Sequence, residues 1–273
     1  MSARNIITVY AADKAIDDGD MLLWRALPLR ERHSLGPFVF IDHYRHHSRR
    51  GIGDRPHPHA GIEVISYLME GGVAHRDSSG FRDTLSAGDA QWICAGRGII
   101  HAEQPDGGRH GLQLWTSLPP AQKMIEPRYR SFRAADIPLF EKNGVQIRVV
   151  AGTVDGVTGP METVSNAVMA YVRLPADSRI SLKIDAPELG LYVTHDRLPL
   201  GNGQTLGAEG LAVLGEGDEV WLQTGSEAVE LAILGGERVE GPILFDGPFV
   251  MDTPERLQQA YSDYRSGKMG TLV

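Results

Sequence analysis

The sequence predicts an all-β fold of two antiparallel barrels followed by one helix, and three observations support it. Short apolar runs recur along the chain, and turn-forming clusters such as Gly71-Gly72 and Asn143-Gly144 separate them. Helical periodicity is scarce before the C-terminus. A motif of the first half returns in the second half, which is typical of a duplicated structure.

The predicted strands are short and rich in β-branched and aromatic residues. They include Ile6–Tyr10, Phe38–Ile41, Val64–Leu68, Val145–Val150, Val168–Leu174 and Leu231–Leu234. Gly and Asn tolerate the positive φ angles of tight turns, so the Gly, Asn and Asp clusters between the strands predict hairpins. With 42% hydrophobic residues, the chain can bury a sizeable core.

One helix is predicted over residues 254–266. Thr253 suits the N-cap, Pro254 the first helical position and Gly267 the C-terminal stop. Apolar side chains then recur with the helical period at Leu257, Ala260, Tyr261 and Tyr264. This stripe needs an apolar partner, so we expect the helix to dock on a barrel.

An internal repeat indicates the domain organisation. Leu85–Ile93 and Leu214–Leu222 share the pattern L-x-x-G-D-x-x-W-[IL] and lie about half a chain apart. Each copy predicts a Gly-Asp turn that enters a strand. The alternative explanation is chance, since a single short match can arise without duplication. We expect an N-terminal barrel over residues 1–133 and a C-terminal barrel, including the helix, over residues 134–273.

Composition narrows the class of function. The chain has 35 acidic and 27 basic residues and a net charge of -8, which disfavours a nonspecific partner such as nucleic acid or an anionic membrane. It has no apolar run of the length that a signal peptide or membrane span needs. The single cysteine, Cys94, excludes an intrachain disulfide and is expected to be a buried apolar side chain. These features predict a soluble, cytoplasmic protein.

Two short motifs predict a metal site. His57-x-His59 and His101-x-Glu103 both fall in strand-like segments, where residues two apart share a face. Three imidazoles and one carboxylate suit Fe, Mn, Ni, Cu, Co or Zn. The absence of a thiolate argues against a closed structural zinc centre, and four ligands leave a position open for catalysis.

The other histidines are expected to lie outside this site. An Arg-rich polar segment holds His33, His43, His46 and His47, which we expect to be solvated, with a structural role as the alternative for His43. The remaining ones, His75, His110 and His195, have no ligand-like partner at short spacing.

These motifs resemble known family signatures. The run from Gly51 through His57 and His59 to Glu63 resembles the first cupin motif, and Gly88–His101 resembles the second, with Cys94 where a proline is usual. More specifically, four segments resemble signatures of the pirin family, namely Pro56–Leu68, Gly88–Glu103, Gly111–Trp115 and Gly247–Met251. The resemblance therefore spans essentially the whole chain.

The resemblance implies a bicupin, which is two antiparallel double-stranded β-helix (jelly-roll) barrels. It implies iron, most simply Fe(II), or another divalent metal in the N-terminal barrel only. The ligands carried over are His57, His59, His101 and Glu103. Glu63 is expected to orient a histidine ring. The offset of the repeat places Glu230 and Ala232 where the first barrel has its last two ligands, so a second metal site is not expected.

Pirin-like proteins divide functionally. Several bacterial members resemble quercetin 2,3-dioxygenases, whereas the animal relative resembles a nuclear transcription cofactor whose metal senses redox state. We expect a metal-dependent dioxygenase that acts on a flavonol such as quercetin, with dioxygen as its second substrate. Glu103 is expected to accept the proton of the substrate hydroxyl. Gln113 and Trp115 are expected to line the cavity, with core packing as an equal alternative for Trp115.

Three alternatives remain open at this stage. A redox-responsive regulatory or binding protein without turnover would need the same metal site and a protein partner. A different enol or phenol is also compatible with such a site as the physiological substrate. A metal-dependent isomerase shares the site type, but no sequence feature favours it.

Overall fold

The computed structural model describes residues 2–200 and 203–272. Its first part contains strands and one 3-10 turn at Pro120–Gln122. The strands are β1 (Ile6–Ala11), β2 (Asp13–Asp17), β3 (Met21–Leu27), β4 (Phe38–His46), β5 (His57–His59), β6 (Ile62–Asp77), β7 (Arg82–Ser86), β8 (Ala90–Cys94), β9 (Ile99–Ser117) and β10 (Arg128–Phe132).

The second part continues with strands and ends in a helix. The elements are β11 (Leu139–Lys142), β12 (Val145–Ala151), β13 (Thr153–Val154), β14 (Val157–Thr158), β15 (Ala167–Leu174), β16 (Arg179–Lys183), β17 (Glu188–His195), β18 (Leu198–Pro199), β19 (Thr205–Leu206), β20 (Gly210–Leu214), β21 (Glu219–Gln223), β22 (Val229–Gly236), β23 (Leu244–Asp246), β24 (Phe249–Met251) and α1 (Pro254–Arg265). The predicted all-β fold with a C-terminal helix is confirmed.

Two large sheets organise the strands. A nine-stranded sheet has the order β10-β8-β6-β9-β4-β3-β2, with β5 paired to β9 and β7 paired to β6. A seven-stranded sheet has the order β1-β20-β17-β22-β15-β12-β11. Two-stranded sheets are formed by β13-β14, β16-β21, β18-β19 and β23-β24. Because β6 pairs antiparallel with β8 and with β9, it carries the centre of the larger sheet.

The chain forms two compact units. One, here the N-terminal unit, comprises Lys14–Arg25, Val39–Ala134 and Val239–Val273. The other, the C-terminal unit, comprises Met1–Asp13, Ala26–Phe38 and Ala135–Arg238. The main break lies between Ala134 and Ala135, but the units differ from the linear domains 1–133 and 134–273 at both chain ends and at the internal segment Ala26–Phe38. At the chain ends, the reason is that β1 pairs with β20, whereas α1 packs on β24.

Turn residues account for the local geometry. Asn143 and Gly144 both have positive φ angles, of 53° and 77°, and connect β11 to β12 as a hairpin. In the first copy of the repeat, Asp89 accepts a hydrogen bond from the Ser86 amide (2.9 Å) and β8 follows. In the second copy, the Asp218 amide donates instead to the Ser2 carbonyl (2.8 Å), and β21 follows.

The helix follows its sequence signals. The Thr253 side chain accepts a hydrogen bond from the Arg256 amide (3.2 Å), which caps the first turn. Ala260 is buried, and the Tyr261 ring packs edge-on against Phe249, with 4.9 Å between the ring centroids. The predicted docking of α1 is therefore made on β24 of the N-terminal unit. Among the described residues, no helix has the length and hydrophobicity that a membrane span requires.

The cores of the two units differ in composition. A continuous apolar cluster fills the C-terminal unit, with β12, β15, β17 and β22 contributing side chains such as Ile147, Val172, Leu191 and Leu231. The N-terminal unit has smaller apolar clusters and, between its strands, buried polar side chains such as Glu63, Gln91 and His101. Polar groups in a core must be paired or must serve a ligand, so they indicate where a functional site lies.

Candidate metal centre

Strand pairing brings three predicted ligands together. In the antiparallel pair of β5 and β9, His57 lies opposite His101, and His59 shares the face of His57 two residues along. One ring nitrogen from each of these histidines lies within 4.8 Å of the other two. The rings pack at centroid distances of 4.3–5.0 Å. The imidazoles thus converge on one point, as a metal requires.

Backbone carbonyls orient two of the rings. The His57 Nδ1 donates to the Arg55 carbonyl (2.9 Å), and the His59 Nδ1 donates to the Pro248 carbonyl (3.3 Å). Their Nε2 atoms are then the unprotonated ones, since a neutral imidazole carries one N–H. Among the described residues, the buried Nε2 atoms of His59 and His101 have no hydrogen-bond partner. Unpaired buried acceptors aimed at a common point fit a divalent metal.

Burial keeps the imidazoles in their ligand form. Burial and, to a lesser extent, the neighbouring His57 lower the pKa of His59 to about 3, although the Pro248 carbonyl acts in the opposite direction. Burial also lowers the pKa of His101 well below its usual range, with His57 and His59 adding to the effect. A metal binds neutral imidazole, so the site is ready to accept a cation without first releasing protons at neutral pH.

The fourth predicted ligand, Glu103, lies beside this group but is held by other partners. Its Oε1 accepts a hydrogen bond from Gln91 Nε2 (2.5 Å), and its Oε2 forms an ion pair with Arg109 Nη1 (3.0 Å). Oε1 is 3.8 Å from the His101 Nδ1. The structure therefore joins three of the four predicted ligands in one group, and direct ligation by Glu103 stays a prediction.

A further histidine, His75, completes a second group that overlaps the first. One ligand atom each from His75, His101 and Glu103 lies within 4.8 Å of the others, because β6 places His75 opposite Glu103 and Asp77 opposite His101. His75 Nε2 donates to Asp77 Oδ2 (3.1 Å), which leaves Nδ1 without a partner among the described residues. The expectation that His75 has no ligand-like partner at short spacing is wrong, because Asp77, two residues along, is its hydrogen-bond partner.

The carboxylate of Glu63 joins three strands. It is fully buried, and its oxygens accept hydrogen bonds from the Trp92 indole (2.8 Å) and the Thr116 hydroxyl (2.9 Å). These contacts tie β6 to β8 and β9 beside the metal centre. Orientation of a histidine ring by Glu63 stays a prediction.

Trp115 forms a wall of the imidazole group. Its ring meets His59 edge-on, with 4.9 Å between centroids, and stacks on Phe40 at 4.1 Å. It also belongs to the apolar cluster of this unit, so Trp115 takes part in core packing, and its role in lining a substrate cavity stays a prediction. Gln113 is buried two residues before it on β9 and lies opposite Ser66. Whether Gln113 faces a substrate stays a prediction.

The loop before β5 covers the site closely. Gly53 has a φ of 75°, and a Cβ there would lie 3.1 Å from the His57 ring. The Gly53 carbonyl accepts a hydrogen bond from the Glu103 amide (2.7 Å), which fixes the loop to β9. His57 is half-buried, whereas His59 and His101 are buried. Solvent therefore reaches the imidazole group from the side of His57.

The expectation that His43 and His46 are solvated is wrong. Both lie on β4 and are buried, at 1% and 2% exposure. His43 Nε2 contacts His110 Nε2 at 2.7 Å, and Arg109 Nε donates to His46 Nδ1 (3.2 Å). The strand continues through the polar segment and is buried on both faces, so side chains at odd and even positions, such as His43 and His46, are both covered despite the neighbouring arginines.

The C-terminal unit uses the corresponding positions differently. Glu230 accepts a hydrogen bond from the Tyr171 hydroxyl (2.5 Å) and pairs with Arg173 (3.2 Å). Ala232 is buried on β22 and lies opposite Tyr171 and Tyr192 of the adjacent strands. The residues at the offset of the repeat therefore serve packing and surface pairing.

A two-barrel β fold that gathers imidazoles at one point of its N-terminal unit defines a member of the cupin class with a candidate metal site. The chain belongs to the pirin family. The Pirin family model matches residues 23–116, and the model of the Pirin C-terminal cupin domain matches residues 169–270.

Sequence comparison with named pirins supports this assignment. The chain is 35% identical over 245 residues to Pirin-1 of Arabidopsis thaliana, covering 86% of this chain and 84% of that protein. It is 34% identical over 254 residues to Pirin of Homo sapiens, covering 90% of this chain and 87% of that protein.

Solved structures share the bicupin fold. A quercetin 2,3-dioxygenase from Acinetobacter baumannii superimposes with a TM-score of 0.89 at 27% identity and covers the whole of both chains. The bacterial pirin YhhW from Escherichia coli, solved in complex with nickel(II), superimposes with a TM-score of 0.66 at 21% identity, covering 84% of this chain and 100% of that one.

Proposed function

We propose that this protein is a metal-dependent dioxygenase that cleaves a flavonol such as quercetin, with Fe(II) as its metal. The observation that carries the proposal is the convergence of His57, His59 and His101. Within the described chain, the buried nitrogens of His59 and His101 that face this point have no hydrogen-bond partner. The name of the A. baumannii relative supports the substrate class, and that protein matches this chain over its full length.

A divalent metal bound by these imidazoles would act as a Lewis acid toward the hydroxyl oxygen of the substrate. Three protein ligands leave positions for substrate and for dioxygen on a five- or six-coordinate ion. The remaining steps depend on what the surrounding side chains hold and orient.

We assign to Glu103 the role of accepting the proton of the substrate hydroxyl. Its Oε1 lies 3.8 Å from His101, so a hydroxyl bound beside the imidazoles comes within hydrogen-bond reach of the carboxylate. Gln91 and Arg109 hold the two oxygens in place. This fixes the base before the substrate arrives, which lowers the cost of ordering it during the reaction.

Trp115 is assigned to substrate positioning. Its indole edge faces His59, and Phe40 supports its other side. A planar aromatic ligand that enters from the side of His57 would meet an aromatic wall, and ring contacts of this type contribute about 0.5–1.5 kcal/mol beyond area burial.

The test is oxygen uptake with quercetin by protein loaded with Fe(II), alongside Mn, Co, Ni, Cu and Zn. We expect turnover in the wild type and none in His59→Ala, whose metal content should fall because one of three ligands is lost. His195→Ala, which removes an exposed histidine on β17, is the matched control and should keep both metal and turnover.

Elemental analysis separates the possible outcomes. Metal-loaded wild-type protein that consumes no oxygen with quercetin contradicts the dioxygenase proposal and favours the redox-responsive regulatory alternative. Turnover that survives in metal-free His59→Ala contradicts the assigned site. The cytoplasmic location stays a prediction, which cell fractionation would test.

A further inference from the structure

The C-terminal unit contains a cavity that the metal centre does not use. Its volume is about 360 Å³, which falls in the range of small-molecule sites. The buried side chains of Leu191, Leu214, Val220 and Leu222 form its floor. These leucines and valine belong to the apolar core of the unit, so the floor is rigid and dry.

The rim of the cavity carries an unpaired cation. Arg179 begins β16, and its guanidinium lies over the Trp221 ring of the neighbouring β21, 5.0 Å from the centroid. Among the described residues, the Arg179 side chain has no hydrogen-bond or ion-pair partner. Trp221 is a large apolar side chain with 47% of its surface exposed. An aromatic face and a free guanidinium thus stand together at the opening.

A second arginine, Arg4, lines the wall. Its Nη atoms donate to the carbonyls of Gly215 (3.0 Å) and Ala186 (2.5 Å), whereas its buried Nε has no partner within the described chain. Burial lowers the pKa of Arg4, and the carboxylates of Asp185 and Asp218 act in the opposite direction. The Nη atoms of Arg4 are already engaged by backbone carbonyls, so Arg179 is the cation that remains for a ligand.

The charge of the side chains that line the cavity determines which class of ligand can bind there. Among the described residues that line the cavity, the charged ones are Arg4 and Arg179, and no carboxylate faces it. A metal cation or an amine therefore has no counter-charge there. An anion finds a guanidinium whose planar N–H groups match a carboxylate.

We propose that this cavity binds a small apolar carboxylic acid. The hydrocarbon body lies on the leucine floor, and the carboxylate pairs with Arg179 beside the Trp221 face. The ligand occupies the unit that lacks the imidazole group, so its binding does not require a metal. This proposal is independent of the dioxygenase function.

Titration calorimetry with phenylbutyrate and its neutral amide, phenylbutyramide, tests the charge requirement. We expect the acid to bind about tenfold more tightly than the amide, since a hydrogen bond to a charged group is stronger than a neutral one. Arg179→Leu should abolish this preference, and Arg179→Lys, which keeps the charge, should retain part of it.

Arg173→Leu is the matched control. Arg173 also lies over an aromatic ring of the same unit, that of Tyr171 at 5.9 Å, but outside the cavity. It should leave the binding of both probes unchanged. An equal loss in the two leucine variants, equal affinity for acid and amide, or no binding of the acid at millimolar concentration overturns the proposal.

Amide chemical shifts locate the probe. We expect phenylbutyrate to shift resonances of β16 and β21, and to do so equally in His59→Ala. Shifts confined to residues 57–103 would place the ligand at the imidazole group and overturn the assignment to the C-terminal unit.

Discussion

In the N-terminal unit, the space between the strands holds imidazoles, carboxylates and a buried guanidinium; in the C-terminal unit, the same space holds leucine, valine and isoleucine. Both units contain the Gly-Asp pair of the repeat, followed by a strand. The position of this strand start is thus independent of what the interior contains. In this fold, therefore, the arrangement of the backbone and the chemical character of the interior vary separately.

The buried polar groups of the N-terminal unit supply one another's hydrogen bonds and counter-charges. Arg109 donates to Glu103 (3.0 Å), to the Ile52 carbonyl (2.8 Å) and to His46 (3.2 Å), and its guanidinium lies over the Tyr44 ring. Each partner would be an uncompensated buried group without the others. The apolar interior has no such dependence, since its contacts are non-directional.

The largest effect on stability is expected from breaking this network. Arg109→Met removes the cation and leaves the Glu103 carboxylate buried and unpaired, which should lower the free energy of unfolding by about 3–5 kcal/mol. Urea unfolding in the presence of a chelator measures this without a contribution from bound metal.

The control is the double variant Glu103→Gln with Arg109→Met. It removes both charges, so it should recover much of the loss. A double variant no more stable than Arg109→Met would show that the pair itself is not the source of the effect.

A comparable core substitution in the other unit should separate stability from metal binding. Leu231 is fully buried on β22, and Leu231→Ala should lower the free energy of unfolding by about 2–5 kcal/mol through the cavity that it creates. Metal content should remain that of the wild type when the folded protein is loaded and analysed. Loss of metal in this variant would contradict the separation of the two interiors.

A smaller effect is expected from the buried carboxyl of Asp42. Burial raises its pKa to about 6 from 3.8, while Arg25, which donates to both oxygens at 2.8 Å, acts in the opposite direction. Because the folded pKa lies above the unfolded one, its contribution to stability is full below about pH 4 and is lost as the pH rises through about 6.

Asp42→Asn should therefore flatten the dependence of unfolding free energy on pH in this window, by about 3 kcal/mol at most. Asp136→Asn, at an exposed aspartate, should leave the curve unchanged. Parallel wild-type and Asp42→Asn curves between pH 4 and pH 7 would contradict the effect.

Elements with a local cause could be predicted from the sequence. The helix was predicted because Thr253 and Pro254 specify its start, and the β11–β12 hairpin because Asn143-Gly144 tolerates positive φ. The exchange of chain ends could not be predicted, since the pairing of β1 with β20 depends on residues that are remote in sequence. A linear pattern contains no information on which remote strand completes a sheet.

The site was predictable to the extent that its ligands are close in sequence. His57-x-His59 lies on one strand, and the position opposite His101 follows from pairing with β9. The His75-x-Asp77 pair was detectable in the sequence, but the position of His75 opposite Glu103 depends on the register of β6 with β9, which the spacing does not reveal. The partners of Glu103 were missed for the same reason, since Gln91 and Arg109 come from elsewhere along the chain.

The hydrogen bond from His59 to the Pro248 carbonyl limits how this protein can be truncated into separate domains. A fragment that ends at residue 133 would retain every imidazole of the metal centre but would lose the acceptor that sets the tautomer of one of them. It would also lose the Val250 carbonyl, which accepts from the buried Lys123 ammonium (2.9 Å). Expression of a minimal metal-binding module therefore requires the C-terminal segment to be supplied, as a fused tail or as a second chain.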